Sequence, residues 1–230
     1  MKIVVAVRCY NEEKNIERFM RGYDFADMIV VSDGGSTDNS VEMLKKYPKV
    51  KLLHFTEQET VDGQTWNPDA PHMNFVLDAA KELKPDWIIF DDMDDVPTFT
   101  LRQEARAIFK YAHMFQYHQI NTFRLYLWGD DKYFPYMNRD FHEDYRSLWA
   151  WRPDVVDIYA DMSVRHGTLL GLADESVTMK LKPPYCLLHK SYGPDTIYAK
   201  LKRYNALGLP MLHPLETNGE LRDLPDWAQE

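Results

Sequence analysis

Four aspartates fall within five positions at Asp91-Asp92-Met93-Asp94-Asp95, directly after the apolar run Trp87-Ile88-Ile89-Phe90. A buried strand ending this way delivers acids to the edge of a sheet. On extended backbone, side chains two apart point the same way, which aims Asp92 and Asp94 at one point in space. With their carboxylates about 4 Å apart at an effective dielectric near 20, the repulsion would be on the order of 4 kcal/mol, and a divalent cation offsets it. Mg2+ or Mn2+ suits a site that takes one or two carboxylates and completes its shell with water and substrate phosphates. Such an ion bridges a diphosphate and stabilises the charge that develops as the diphosphate leaves. The plainer alternative is an acid run that caps a helix and faces solvent.

Two earlier segments also sit where apolar runs end. Asp33-Gly34-Gly35-Ser36-Thr37-Asp38 follows Met28 to Ser32. Paired glycines let backbone turn sharply and approach a ligand, and an acid at a strand end can accept from a ribose or a base edge. Arg8-Cys9-Tyr10-Asn11-Glu12-Glu13 follows the first run, and Tyr10 can lie against a nucleobase. Asn11 as a helix N-cap, with Glu12 and Glu13 in the first turn, explains the same residues without a ligand.

The elements that hold these segments alternate two periodicities. Continuous β-branched runs at 3–7, 28–32, 50–55 and 87–90 read as strands covered on both faces. Between them, Ile16, Phe19, Met20 and Tyr23 share one helical face, as do Val41, Leu44 and Tyr47, and then Met73, Val76, Leu77, Ala80 and Leu83. Repeated strand-helix units predict an α/β fold with a mostly parallel sheet, which binds ligands beyond the carboxyl ends of its strands. After Pro97 the periodicity weakens and aromatics such as Trp128, Trp149 and Trp151 crowd together. This half reads as a mixed, loop-rich layer covering the first. A strand at 185–188 and a helix at 196–207 follow, the latter ended by Gly208 and Pro210. The chain divides as residues 1–97, 98–212 and a peripheral tail, 213–230, within a single domain.

The three motif segments together resemble those of family 2 glycosyltransferases. The matching stretches are Tyr10-Asn11-Glu12-Glu13, Ile29 through Asp38, and Asp86-Trp87 through Asp94. The resemblance implies the GT-A fold, a Rossmann-like nucleotide-sugar-binding sheet with a mixed acceptor-side layer. It also implies transfer of a sugar from a nucleoside-diphosphate sugar, with inversion, using Mn2+ or Mg2+. It places Tyr10, Glu12 and Asp33 at the nucleoside and Asn74 near the donor. Asp92 and Asp94 correspond to the Asp-x-Asp pair that meets ribose, diphosphate and metal. Leu187 through Gly193 resembles a late His-x-x-Tyr element, which makes His189 a third metal ligand; a packed strand-end histidine is the alternative. Lys190 and Arg203 are candidates to neutralise phosphate. Arg8 stands where many members have proline, Gly35 extends the second motif, and His166-Gly167 stands where relatives show His-Glu. Inversion needs a carboxylate base, for which Asp174 and Glu175 are the first choice and Glu143 and Asp144 the second.

Bulk properties narrow the partners. With 230 residues, 45% hydrophobic and 27% charged, the chain suits one catalytic unit. A net charge of -9 disfavours a nucleic-acid acceptor without excluding one; glycan, protein, lipid and small-molecule acceptors stay open. Cys9 and Cys186 make neither a disulfide framework nor a paired-cysteine zinc site, which fits the cytoplasm. No segment approaches the roughly 20 apolar residues that cross a bilayer. Two other readings remain: a nucleotidyltransferase that makes nucleotide-sugars, which the acidic Tyr10–Glu13 segment disfavours, and a non-catalytic nucleotide-sugar-binding protein.

Overall fold

The computed structural model describes residues 1–61, 64–129, 132–133, 147–163, 169–192, 198, 201–202 and 221–228. In chain order the first half runs β1 (Ile3–Cys9), α1 (Ile16–Gly22), β2 (Met28–Asp33), α2 (Ser40–Leu44), β3 (Val50–His54), β4 (Glu59–Val61), β5 (Gln64–Trp66), α3 (Asp69–Lys81) and β6 (Trp87–Asp92). The second half runs β7 (Asp95–Pro97), α4 (Phe99–Met114), β8 (Gln119–Trp128), β9 (Lys132–Tyr133), β10 (Ser147–Trp151), β11 (Tyr159–Ala160), β12 (Leu169–Leu170), β13 (Thr178–Lys180), β14 (Cys186–Tyr192) and β15 (Arg222–Asp223).

The four runs expected as buried strands are β1, β2, β3 and β6, and they pair in parallel in the order β3-β2-β1-β6. Beyond β6 the sheet turns antiparallel through β10 to β8. This is the α/β architecture that the motifs implied, a mostly parallel centre continued by a mixed layer. Alternate residues feed two cores. Ile3, Val5, Val7, Ile29, Val31, Trp87 and Ile89 pack with α1 and α4, whereas Val4, Ala6, Val30, Ile88 and Phe90 pack with α3. β1, β2 and β6 are therefore apolar on both faces, which is why their sequences show runs and not alternations, whereas β3, expected to be covered as well, is an edge strand and only half-buried.

Three local expectations need correction. Asn11 does not cap the first helix: it has φ 56 and its Oδ1 accepts from the Thr37 and Asp38 amides at 2.7 and 3.3 Å. The helix starts later, at Ile16 behind Asn15. The segment after Pro97 is not loop-rich at its start, because α4 buries Leu101, Ala105, Ile108, Phe109 and Ala112, a helical spacing. The late strand extends past Leu188 to Tyr192. Of the crowded aromatics, Trp149 and Trp151 are wholly buried and fill the two cores.

The second half is organised by β8. Its first residues pair with β10 and β13, its later ones with β14 and β9. β14 also pairs antiparallel with β7, setting His189 opposite Asp95. Of the helix expected at 196–207, only Tyr198, Leu201 and Lys202 lie among the described residues, and all three are helical. Glu143, Asp144, His166, Gly167, Lys200 and Arg203 lie outside them. No helix among the described residues is long and apolar enough to cross a membrane.

Candidate active site

Register brings the three motif segments to one edge. Cys9 pairs with Asp33, Asp33 with His54, and Arg8 with Asp92, so the carboxyl ends of β1, β2, β3 and β6 finish level. The loops that follow β1 and β2 are stitched together. Amides of Asn11 and Glu12 donate to the hydroxyls of Ser36 and Ser40, each at 2.8 Å, and the Glu13 amide donates to Asp38 at 3.1 Å. Asp33 is buried, and its carboxylate accepts from the amides of Gly35 and Ser36 at 3.0 and 3.1 Å. A side chain at Gly34 would place Cβ 1.9 Å from Asn67 Oδ1, so glycine there admits the Asn67 amide. Tyr10 stands half exposed at the end of β1.

Glu12 lies behind this edge, its carboxylate accepting from Asn15 at 2.7 Å. Burial, followed by repulsion from Asp94, Asp92 and Asp38, pushes its carboxyl up to about 7 against the Asn15 bond. Burial pushes the thiols of Cys9 and Cys186 up to about 12, which leaves neither a nucleophile.

The acid run does not continue as extended backbone. β6 ends at Asp92, Met93 and Asp94 form a turn, and β7 starts at Asp95. The cause is Met93, which is 2% exposed and packs into the core beside α1, dragging the chain inward. The four aspartates consequently separate by partner. Asp92 lies on the α3 side, paired with Arg8 at 3.1 Å, and Arg8 reaches Asp69 at the start of α3 at 3.0 Å. Burial opposes charge on Asp92, but Arg8, Arg124 and His189 outweigh it and hold its carboxyl at about 2. Asp91 points to the other face, where the Tyr23 hydroxyl and, at 2.8 Å, Arg124 donate to it. Its burial and the neighbouring Asp95 raise its pKa well above the usual carboxylate range, against the pull of Arg124 and Tyr23.

Asp94 and Asp95 turn instead toward β14. His189 Nδ1 lies 2.9 Å from Asp95 and 3.7 Å from Asp94. One ligand atom from each of the three falls within 4.8 Å of the others, a spacing and donor set that fits a divalent cation. Of the residues expected to hold a metal, Asp94 and His189 lie together beside Asp95, and Asp92 is paired with Arg8. The turn itself is clasped by Arg18, whose guanidinium donates to the Asp94 carbonyl at 3.1 Å, and by the Lys190 amide at 2.9 Å.

Other expected residues lie elsewhere. Asn74 sits on α3 with both ends of its amide bonded to the Ala160 backbone, at 2.7 and 3.1 Å. Asp174 is exposed and caps a single 3-10 turn through the Ser176 amide, and Glu175 pairs with Lys180. The strand behind them, β13, sets Thr178 opposite Gln119, which pairs with Trp151 and through it with Ile88. That is the amino end of β6, roughly 13 Å along the strand from Asp92 at 3.3 Å per residue. Nearness in sequence to β14 had suggested the site, but β13 and β14 lie along opposite ends of β8. Sequence reasoning gave Asp95 no role apart from the acid run and missed Arg124. The isolated arginine inside an apolar strand, Phe123-Arg124-Leu125, was the signal that could have found the latter.

No curated protein matches the chain in sequence. In overall course the chain is similar to the crystal structure of a mycobacterial protein, at 11% identity over 91% of this chain and 76% of that one, TM-score 0.47. It is also similar to glucosyl-3-phosphoglycerate synthase from Mycobacterium tuberculosis in complex with phosphoglyceric acid, at 14% identity over 97% of this chain and 86% of that one, TM-score 0.47. Residues 4–67 match the family described as Glycosyl transferase family 2. The match covers the N-terminal α/β part, from β1 through β5, and the acidic turn lies past the matched residues, joined to them by the Arg8–Asp92 pair.

Proposed function

We propose that this protein is a metal-dependent glycosyltransferase that takes a sugar from a nucleoside-diphosphate donor and passes it, with inversion, to an acceptor hydroxyl or amine. The observation that carries the reading is the meeting, at one sheet edge, of a family 2 segment with a carboxylate and a histidine at metal-ligand spacing. Tyr10 offers a ring to the base, and the stitched loops around Asp33 shape the nucleoside end. Asp94 and His189 would hold the cation, which when bound supplies Lewis-acid stabilisation to the departing diphosphate. An imidazole among the ligands favours Mn2+ over Mg2+, because magnesium prefers an all-oxygen shell. Arg8 keeps Asp92 charged beside the same crevice. Two buried free thiols fit a reduced compartment such as the cytoplasm.

The test is nucleotide release from a panel of nucleotide-sugars with manganese or with chelator, water standing in for the acceptor. Slow, manganese-dependent release of a nucleoside diphosphate is expected. Asp94→Asn should lower it by about 100-fold or more with an unchanged melting temperature, since a few kcal/mol of leaving-group stabilisation is at stake. Release unaffected by Asp94→Asn removes the site; turnover that depends on pyrophosphate points to a nucleotidyltransferase instead.

A further inference from the structure

Asp95 is wholly buried, and its two carboxylate oxygens are committed in different directions. Oδ1 lies 2.9 Å from His189 Nδ1. Oδ2 lies 3.1 Å from the Arg124 guanidinium as an ion pair, without hydrogen-bond geometry. All three residues stand on strands held in register, His189 opposite Asp95 across β14 and β7, and β14 beside β8, which carries Arg124. The Tyr126 ring, edge-on to the imidazole at 5.0 Å between centroids, limits its rotation.

We propose that Asp95 is a positioning residue and not a metal ligand: it accepts the Nδ1 proton of His189, leaving the lone pair on Nε2 as the nitrogen that meets the cation, with Arg124 as its fixed counter-charge. Carboxylates behind metal-binding histidines fix tautomer and ring orientation in this way. Asp94 is then the carboxylate that touches the cation. The inference rests on the metal reading above, and the alternative is distinct: were Asp95 itself a ligand, the cation would sit against Nδ1 and the ring would carry its proton on Nε2.

Nitrogen-15 spectra of histidine-labelled, metal-free wild-type protein at about pH 9, above the ordinary histidine range, decide between the two. The expected ring carries a proton on Nδ1; a ring with its proton on Nε2 and Nδ1 bare overturns the proposal. Asp95→Asn sharpens the test. Arginine only donates, so Arg124 takes the amide oxygen and turns the NH2 toward Nδ1, which must then accept. The variant should carry its proton on Nε2 and bind Mn2+ about 10–100-fold more weakly by calorimetry. Unchanged affinity with the proton still on Nδ1 overturns the role of Asp95. If the variant does not fold, the wild-type spectrum decides alone. No heat from Mn2+ with wild-type protein overturns the metal reading, whereas Mn2+ binding to a ring protonated on Nε2 overturns only the assignment of Asp95.

Discussion

The parallel strands β1, β2 and β6 and the later strands β8 and β14 reach the acidic turn from opposite sides and contribute opposite things. The parallel side supplies the acids, at the ends of strands whose two faces are largely apolar. The later side supplies Arg124 and His189, from strands that meet the turn across 33 and 94 residues of chain. Carboxylates gathered at a buried edge are tolerable only if charge arrives from elsewhere. The comparison teaches that the site is a seam, with its carboxylates on one side and its histidine and Arg124 on the other.

The largest effect should come from cutting that support. Arg124 faces both Asp91 and Asp95 and keeps its own charge because their attraction outweighs the cost of its burial. Arg124→Met leaves two buried carboxylates without their cation and should cost about 3–5 kcal/mol in urea unfolding. The loss should shrink as pH falls, because Asp91 already has a raised pKa and protonation removes the stranded charge. A loss below about 1 kcal/mol, or one that grows in acid, would mean the two sides are electrostatically independent.

Much of the parallel side was legible because its signals are local. Residue parity even accounts for the split of the acids: Asp92 shares the face of Phe90 and so meets Arg8, which also reaches Asp69, while Asp91 shares the face of Ile89 and so meets Tyr23. Reading Asp92 and Asp94 as one extended pair failed because Met93 is a core residue that bends the chain. The later side was hardly legible. β8 changes neighbours midway, with β10 and β13 along its first half and β14 along its second. Its burial therefore follows no single period, and nothing near Arg124 in sequence announces Asp91 or Asp95. The helix α4 is a different case, since the spacing of Leu101, Ala105, Ile108, Phe109 and Ala112 is already helical in the sequence.

The join between α3 and β11 is a second place where the two sides meet. Asn74→Ala removes both bonds to Ala160 and strands a strand amide and carbonyl, which should cost about 1–2 kcal/mol in chemical denaturation. The donor KM should stay within about twofold. A tenfold rise, on the order of 1.4 kcal/mol of donor binding, would return Asn74 to the donor role that the family resemblance implies and would place ligand contacts at this join too.

The Arg8–Asp92 pair lies wholly within the parallel side, so breaking it should cost less. Asp92 has a folded pKa of about 2, below the ordinary carboxylate value near 3.8, through Arg8 first and then Arg124 and His189 once burial is overcome. A lowered pKa contributes stability above the unfolded value that is lost as pH falls through the folded one. Wild type should therefore exceed Asp92→Asn in stability above pH 4 and lose that margin between about 4 and 2. With 44% of the Asp92 side chain open to solvent, screening keeps the margin to about 1 kcal/mol at most. A margin that persists below pH 2 would show that the asparagine fails for a reason other than charge.

The smallest effect is expected at Asp174 and Glu175, and it bears on whether the later side contributes a base as well as a counter-charge. Both are exposed and locally occupied, Asp174 by the Ser176 amide and Glu175 by Lys180. Asp174 is held below its usual pKa by that serine, the hydroxyl first and the amide second, whereas a base that takes a proton near neutrality needs a raised value. Their turn also leads into β13, beside the amino-end portion of β8. Asp174→Ala with Glu175→Gln should leave nucleotide release and sugar transfer within about twofold of wild type, because removing a group that never meets the reacting atoms does not alter transition-state binding. A tenfold or greater fall in transfer with release intact would locate the base there after all, and would require this turn to move to the carboxyl edge when acceptor binds.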